Sequence, residues 1–316
     1  MKKYMINNRA GVSELVLEEA QPSALGECDV EIQVTHSGLG LIDALQFSGV
    51  MGDMQGHTPG LEVEGFIRTV GAAVTNLQEG DRVAAMCFGA GLATVLVTHS
   101  DFVVKIDERI PAGMGAISLV NTVTAKESLS IARTIGRFER VLVHAGVGGL
   151  GTQFGQIASM LDAKHIDAVV GNDEKAILAK DMGYHDVYYR HALSDIPEEF
   201  YDVVIDSVGA QATTSSFEKL RSGGRVIKVG NSSGKEAQQF DSLKFWFENK
   251  TVIGFNVGLW IMEDTERAHA AMEWAVEQVA EGAIRIPYEV RPVAQLEDSL
   301  ADLLNGKVMG KLVVEW

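Results

Sequence analysis

Along the first third of the chain, apolar and polar positions alternate every second residue. In VEIQVTHSG, Ile32 and Val34 alternate with Gln33 and Thr35, the period of a half-buried strand. LEVEGFIRTVG and DRVAAMCFG repeat that pattern on either side of NLQEGD, a turn made permissive by Gly80. LATVLVTHSDFVVKI adds further short strands. Short strands with glycine-rich punctuation predict a small barrel or sandwich rather than βαβ units.

Near Pro111 the period changes. AISLVNTVTAKESLSIARTIG reads as mostly helical, and strand then alternates with helix. RVLVHAG predicts a buried strand, and TQFGQIASMLDA places Phe154, Ile157, Ala158 and Leu161 on one helical face. HIDAVVG predicts a second strand; NDEKAILAKDMG predicts a helix capped by Asn172 or Asp173 and stopped by Gly183. DVYY, YDVVIDSVG, a helix near ATTSSFEKLRSGG, and RVIKVG continue the alternation. Over roughly 110 residues this is the pattern of a doubly wound parallel sheet. After KTVIGFNVG, the helix TERAHAAMEWAVEQVAEG carries Ala268, Met272, Ala275, Val276 and Val279 on one stripe. The tail ends in strand-like pieces, IPYEVRPV and GKLVVEW, that resemble the first third and point to a return to it.

Chemistry enters between the first predicted strand and helix of the alternating region. Gly146-Val147-Gly148-Gly149-Leu150-Gly151 fits G-x-G-x-x-G. Gly146 suits the tight turn, Gly148 admits close approach of a pyrophosphate, and Gly151 admits close helix–strand packing. The helix start adds backbone N–H groups and a positive dipole end. The second strand ends in Val170-Gly171-Asn172 with no carboxylate at its tip, while Lys175 follows. A carboxylate there would bind the ribose 2′-hydroxyl of NAD. A small neutral tip with a lysine suits a 2′-phosphate, so NADP(H) is expected over NAD.

Composition narrows the partners. With 27 basic against 43 acidic residues the net charge is −16, which argues against nucleic acid or an anionic membrane as a bulk partner. A small anionic ligand in a locally positive pocket stays compatible. Cys28 and Cys87 make no disulfide framework, and no Cys-x-x-Cys or His-Glu-x-x-His spacing offers a metal site. The start, MKKYMINNRAGVSELVLEEA, lacks a signal-peptide apolar run, and no stretch reaches the roughly 20 apolar residues of a membrane span. A cytoplasmic protein without membrane partners is the expectation.

In order along the chain, GLGLIDALQFSG, PGLEVEG, VGAAVTNLQEGDRV, NTVTAKESL, HAGVGGLG, DVYYRHALSD, YDVVIDSVG, GGRVIKVGNSSG and GKVMGKLVVEW resemble the medium-chain dehydrogenase/reductase superfamily. The similarity is closest to its zinc-free quinone oxidoreductase (ζ-crystallin-like) and enoyl reductase branch. The resemblance implies an α/β fold: a GroES-like β-rich catalytic domain over residues 1–115 and 256–316, and an inserted Rossmann domain over 116–255. It implies NADP(H) held by Thr124, Gly146, Val147, Gly148, Gly149, Leu150, Gly171, Asn172, Lys175, Tyr189, Val208, Gly230 and Asn231. Thr124, Val208, Gly230 and Asn231 would lie on the nicotinamide side, Lys175 and Tyr189 along the adenosine phosphate. SLKFWFENKTVIGFNVG falls where such proteins pair edge strands between subunits, implying a homodimer.

Zinc-dependent relatives carry a cysteine, a histidine and a second cysteine where this chain has Gly38-Leu39-Gly40, Leu61 and Asn121 to Thr124. The four-cysteine structural lobe is also missing, so no metal is expected. The chain departs from the zinc-free pattern too: Gly40 replaces an asparagine and Met51 a tyrosine, with Asp43 retained. Gly40, Asp43, Met51 and Trp260 are the substrate-pocket candidates. The implied reaction is hydride transfer from NADPH to a small electrophile, a quinone or an activated C=C of an enone or enoyl thioester. Asp43, Thr124, Cys87 and His57 are the groups that could supply a proton, and none is singled out as catalytic. The other reading is an NADPH-binding sensor or interaction protein without turnover, kept open by Gly40 and Met51.

Overall fold

The computed structural model describes residues 1–9, 12–234, 239 and 241–316. The chain divides into two compact units, Met1–Val123 with Gly258–Trp316, and Thr124–Val257. The divisions expected from the sequence lay at 115/116 and 255/256. The first observed division falls inside a helix, α2, rather than before it.

In the first unit the strands are β1 (Lys2–Arg9), β2 (Val12–Glu19), β3 (Asp29–Leu39), β4 (Glu62–Val70), β5 (Arg82–Met86), β6 (Val95–His99) and β7 (Val103–Lys105). Helix α1 (Leu41–Phe47) follows β3, and α2 (Val120–Ile135) leads out of the unit. β1 and β2 form a separate antiparallel hairpin. The eleven-residue β3 pairs along one side with β4, while its two halves take different partners on the other. Asp29–Gln33 pair with β6, and His36–Leu39 pair with the final strand of the chain. This split turns the sheet at β3. The predicted alternation holds: Ile32 and Val34 are buried with Val30, Val63, Ile67 and Val83 in one apolar cluster.

The second unit holds six parallel strands. They are β8 (Arg140–His144), β9 (His165–Val170), β10 (Val187–Tyr189), β11 (Tyr201–Asp206), β12 (Leu220–Lys228) and β13 (Thr251–Gly254). Helices α3 (Gly151–Met160), α4 (Asp173–Asp181), α5 (Gln211–Lys219) and α6 (Ser242–Glu248) connect them. The sheet order is β10-β9-β8-β11-β12-β13. Counted within the unit this is 3-2-1-4-5-6, the Rossmann order, and it reverses direction between β8 and β11. As predicted, Phe154, Ile157 and Ala158 of α3 are buried. Asn172 caps α4 by accepting the Lys175 N–H, and Gly183 ends the turn after it at φ +90.

The chain then supplies α7 (Val257–Glu263), α8 (Thr265–Ala280), β14 (Tyr288–Pro292), α9 (Leu296–Leu304) and β15 (Lys311–Glu315). The predicted stripe of α8 is buried from Ala268 to Val279. β15 pairs with β3, so the tail does return to the first sheet. Between its two strands the tail also folds α9, whose Leu296 and Leu300 form a helical face that packs with Leu39, Leu312 and Val314. One expectation is corrected. The helix after Pro111 begins only at Val120, because Glu62, on β4, accepts the Leu119 and Val120 N–H groups there. That cap comes from tertiary structure, not from the local sequence. No helix among the described residues is long and apolar enough to cross a membrane.

Candidate functional site

The carboxyl ends of β8, β9, β11 and β12 carry most of the residues singled out in the sequence. After β8, Gly146 donates to the Val169 carbonyl of β9 at 3.1 Å, which ties the glycine turn to the neighbouring strand. A Cβ on Gly146 would stand 2.6 Å from that of Ala168, and one on Gly151 would stand 2.2 Å from the Ala145 carbonyl oxygen. Neither position has room for a side chain, so the start of α3 lies directly on the strand end. A Cβ on Gly148 would meet nothing nearer than 3.3 Å. That is a tight but not prohibitive approach, and a bare backbone there suits a pyrophosphate cradle. Val147 is buried, while Gly148, Gly149 and Leu150 are half-exposed.

Tyr184 holds this turn from behind. Its hydroxyl donates to the Gly151 carbonyl at 2.7 Å, and a Cβ on Gly155 would collide with its ring at 2.6 Å. Burial pushes its phenol far above the usual range, so it stays a neutral donor.

At the tip of β9, Gly171 lies beside the Arg190 guanidinium, 3.6 Å from a built Cβ. Lys175 is half-buried, and its ammonium is held below the ordinary lysine range by burial and by the Arg190 charge. Two cations thus share one end of β9, an arrangement that favours a dianion between them. Asn172 is occupied as the α4 cap. Tyr189 donates to Asp173 at 2.7 Å and stacks on His191 at 5.3 Å. Arg190 was not singled out in the sequence, although it adjoins Tyr189. Its signal was the residue after the third strand, visible only once that strand is known to lie next to β9.

Val208, Gly230 and Asn231 come together. Ser232 and Ser233 donate to the carbonyls of Ser207 and Val208 at 3.0 and 2.8 Å, knitting the turns after β11 and β12. Below them Asp206, the last residue of β11, accepts the Val208 and Gly209 N–H groups at 2.8 and 2.9 Å, the Thr213 hydroxyl, and Lys228 Nζ at 2.9 Å. Burial works to raise its carboxyl, but those donors hold it below the ordinary range. Next to it His144 is buried and faces Ser216 Oγ at 3.2 Å; burial lowers its imidazole to about 4, so it is neutral at pH 7. Asp206 and His144 were not assigned roles from the sequence. An aspartate ending a strand before Ser-Val-Gly is a readable turn signal. Thr124 lies buried in the first turns of α2, its carbonyl accepting Ser128 Oγ.

The substrate-pocket candidates belong to the first unit. Asp43 is buried, and both its oxygens are occupied: Oδ2 by the Gly40 N–H and Oδ1 by the Gly60 N–H, each at 2.8 Å. Burial raises its carboxyl despite these donors. Its visible work is to start α1 and pin the Gly60 loop. Met51 is exposed in a turn, and Trp260 is buried beneath the Arg267 guanidinium, 4.4 Å from its ring centre. Burial, then the Asp43 and Glu62 charges, push the Cys87 thiol far above its usual range, which removes it as a thiolate. His57 has its pKa lowered by burial, and its Nε2 has no partner among the described residues.

Of the positions that the resemblance matches to zinc ligands, Gly38 and Gly40 carry no side chain, and at Gly40 a Cβ would find its nearest neighbour at 3.5 Å. A Cβ on Gly38 would lie 1.9 Å from the Ala116 carbonyl oxygen, and Leu61 offers no donor. The neighbouring Glu62 is committed to Lys311 Nζ at 2.7 Å, both groups buried.

Two family profiles match in the order of the units. "Alcohol dehydrogenase GroES-like domain" covers residues 26–130 and "Zinc-binding dehydrogenase" covers 149–277. The chain belongs to the medium-chain dehydrogenase/reductase superfamily. Within it, the chain is 26% identical to quinone oxidoreductase-like protein 2 of Bos taurus over 311 residues, 95% of this chain and 88% of that protein. It is 25% identical over 300 residues to a mycocerosic acid synthase-like polyketide synthase of Mycobacterium tuberculosis. It spans only 11–14% of the length of the first five such synthases it matches. Its fold matches Escherichia coli quinone oxidoreductase complexed with NADPH, with TM-score 0.90, 22% identity and complete coverage of both chains. It also matches CurK enoyl reductase, with TM-score 0.88 and 22% identity over 99% of this chain and 98% of that one. The architecture is therefore a GroES-like domain joined to a Rossmann domain.

Proposed function

We propose that this chain is an NADPH-dependent, zinc-independent oxidoreductase that transfers hydride to a quinone or to an activated C=C of an enone or enoyl thioester. The observation that carries the reading is the pair Lys175 and Arg190 near Gly171, at the same carboxyl end of the sheet as a glycine turn in which Gly146 and Gly151 have no room for a side chain. The first turn of α3 would hold the pyrophosphate, Lys175 and Arg190 the 2′-phosphate, with Gly171, Asn172 and Tyr189 along the adenosine. Thr124, Val208, Gly230 and Asn231 would flank the nicotinamide. Bound there, the nicotinamide supplies hydride to a carbon made electrophilic by conjugation.

The protein's share is orientation and exclusion of water. The turn after β11 is held by the Asp206 hydrogen bonds, which would orient Val208 toward the nicotinamide. The enolate or hydroquinone oxygen would then need a proton, from solvent or from a side chain. With Gly38 walled in and Glu62 paired to Lys311, no step is routed through zinc. Gly40 and Met51 leave the substrate side less polar than an asparagine and a tyrosine would. That favours apolar acceptors such as enones and quinones bearing alkyl groups. The neighbours named for quinone and enoyl reduction support the same reaction class. A homodimer through β13 and α6 belongs to this reading.

The deciding experiment offers the purified chain NADPH and NADH with quinones, enones and enoyl thioesters, following loss of the reduced-nicotinamide absorbance. NADPH-preferring turnover with an apolar acceptor is expected. Tight NADPH binding with an inert panel would overturn the enzyme and leave the non-turnover sensor.

A further inference from the structure

The opposite, amino-terminal end of β9 brings together three groups that neither nucleotide binding nor hydride transfer uses. His165 opens the strand, Asp167 follows on the same face, and Asp186 immediately precedes β10. His165 Nε2 is hydrogen-bonded to the Asp167 carboxylate at 3.1 Å and stands 3.6 Å from Asp186 Oδ2, so an ion entering there would take the place of that hydrogen bond. One ligand atom from each residue falls within 4.8 Å of the other two. Around a divalent ion with bonds of about 2.1 Å, adjacent ligand atoms stand about 3.0 Å apart in an octahedron and about 3.4 Å apart in a tetrahedron. The two His165 separations, 3.1 and 3.6 Å, lie near such edges.

The surroundings fix the donors in place. Asp167 is fully buried; Tyr201 donates its hydroxyl to Oδ2 at 2.5 Å, and the Asp186 backbone N–H donates to Oδ1 at 2.8 Å. Together with His165 these donors hold the carboxylate in one orientation, and a buried carboxylate is costly unless a cation faces it. The His165 ring is set by contacts with His185 at 4.9 Å and, edge-on, with Phe200 at 5.7 Å. Its orientation toward two carboxylates is thus built by packing, as in sites where supporting groups aim a ligand. His165 and Asp186 are open to solvent at 31% and 58%, which leaves a path for an ion and room for water ligands.

We propose that His165, Asp167 and Asp186 form a site for a divalent transition metal, with water completing its coordination. One imidazole and two carboxylates suit Zn²⁺, Co²⁺ or Mn²⁺ better than a soft ion such as Cu⁺. The ion would clamp the start of β9 to the start of β10. The glycine turn and the Lys175–Arg190 pair lie at the other ends of these strands. The metal therefore stabilises the sheet and takes no part in hydride transfer, and its test is independent of the nucleotide reading.

The intact chain, stripped with EDTA and dialysed, is titrated with Co²⁺ while visible d–d absorption and thermal melting are followed. A single saturable Co²⁺ that raises the melting temperature and is displaced by Zn²⁺ is expected. His165→Gln and Asp186→Asn should each weaken it at least about tenfold; Cys28→Ser should not. Asp186→Asn keeps the backbone N–H that Asp167 accepts, so folding is preserved in that variant. Absence of saturable uptake by the unmodified chain overturns the proposal. So does undiminished binding by both variants, or a thiolate charge-transfer band lost in Cys28→Ser.

Discussion

Lys175 illustrates how far one residue can be read. Its place after a strand tip without a carboxylate pointed to a 2′-phosphate, and the fold adds Arg190 against Gly171. A charged hydrogen bond contributes about 1.5–3 kcal/mol. Lys175→Glu is therefore expected to raise the Kd for NADPH by at least about tenfold, with a much smaller change for NADH; Arg190→Glu should act alike. Calorimetric titration with both nucleotides checks this, and equal losses would sink the 2′-phosphate assignment. His144 makes a second prediction at this scale. Its folded pKa of about 4 lies below the ordinary 6.5, so across that interval the unfolded chain binds more protons. Stability from this group is complete above about 6.5 and is lost as pH falls toward about 4, on the order of 3 kcal/mol in all. Unfolding free energies measured at the two ends of that window should differ less in His144→Asn than in the unsubstituted chain. Neither Arg190 nor His144 announces itself in the sequence, because each owes its role to a neighbouring strand.

Among the elements, the turn from β8 into α3 was the most legible, since its glycines answer to local sterics. Gly151→Ala would press a Cβ to 2.2 Å from a backbone oxygen, which cannot rotate away. We expect a cost of about 1–3 kcal/mol and loss of NADPH binding. Tyr184→Phe, which removes only the hydroxyl donating to Gly151, should cost about 1–2 kcal/mol and leave NADPH affinity within a few-fold. Paired denaturation and binding measurements separate the two; equal losses of affinity would mean that the phenol, not the turn, shapes the cradle. The element read least well was α9. Leu296, Leu300 and Leu303 have helical spacing, but the segment is short and lies between two strands, and its helix went unread. The delayed start of α2 was not legible at all, because its capping carboxylate, Glu62, lies far back on β4.

For the molecule as a whole, the open question is its assembly. β13 ends the parallel sheet, and beside it α6 exposes Leu243, Trp246 and Phe247 at 59%, 71% and 72%. Clustered apolar side chains at an open sheet edge mark an interface, in keeping with the homodimer proposed above. Trp246→Asp combined with Phe247→Asp should halve the mass measured by light scattering and leave NADPH binding intact. A monomeric parent chain would refute the dimer outright.

The sequence by itself determined the strand and helix periods, the glycine turn, the missing carboxylate after β9 and the return of the tail to the first sheet. These depend on side-chain alternation and backbone sterics over a few neighbouring residues. Tertiary structure alone decided that Glu62 meets Lys311, that Asp206 binds Lys228 across adjacent strands, and that His165 faces Asp186. A buried polar group is stabilised only by the partner that the sheet order brings to it. No local pattern encodes that partner, because the two are joined by the fold rather than by the chain.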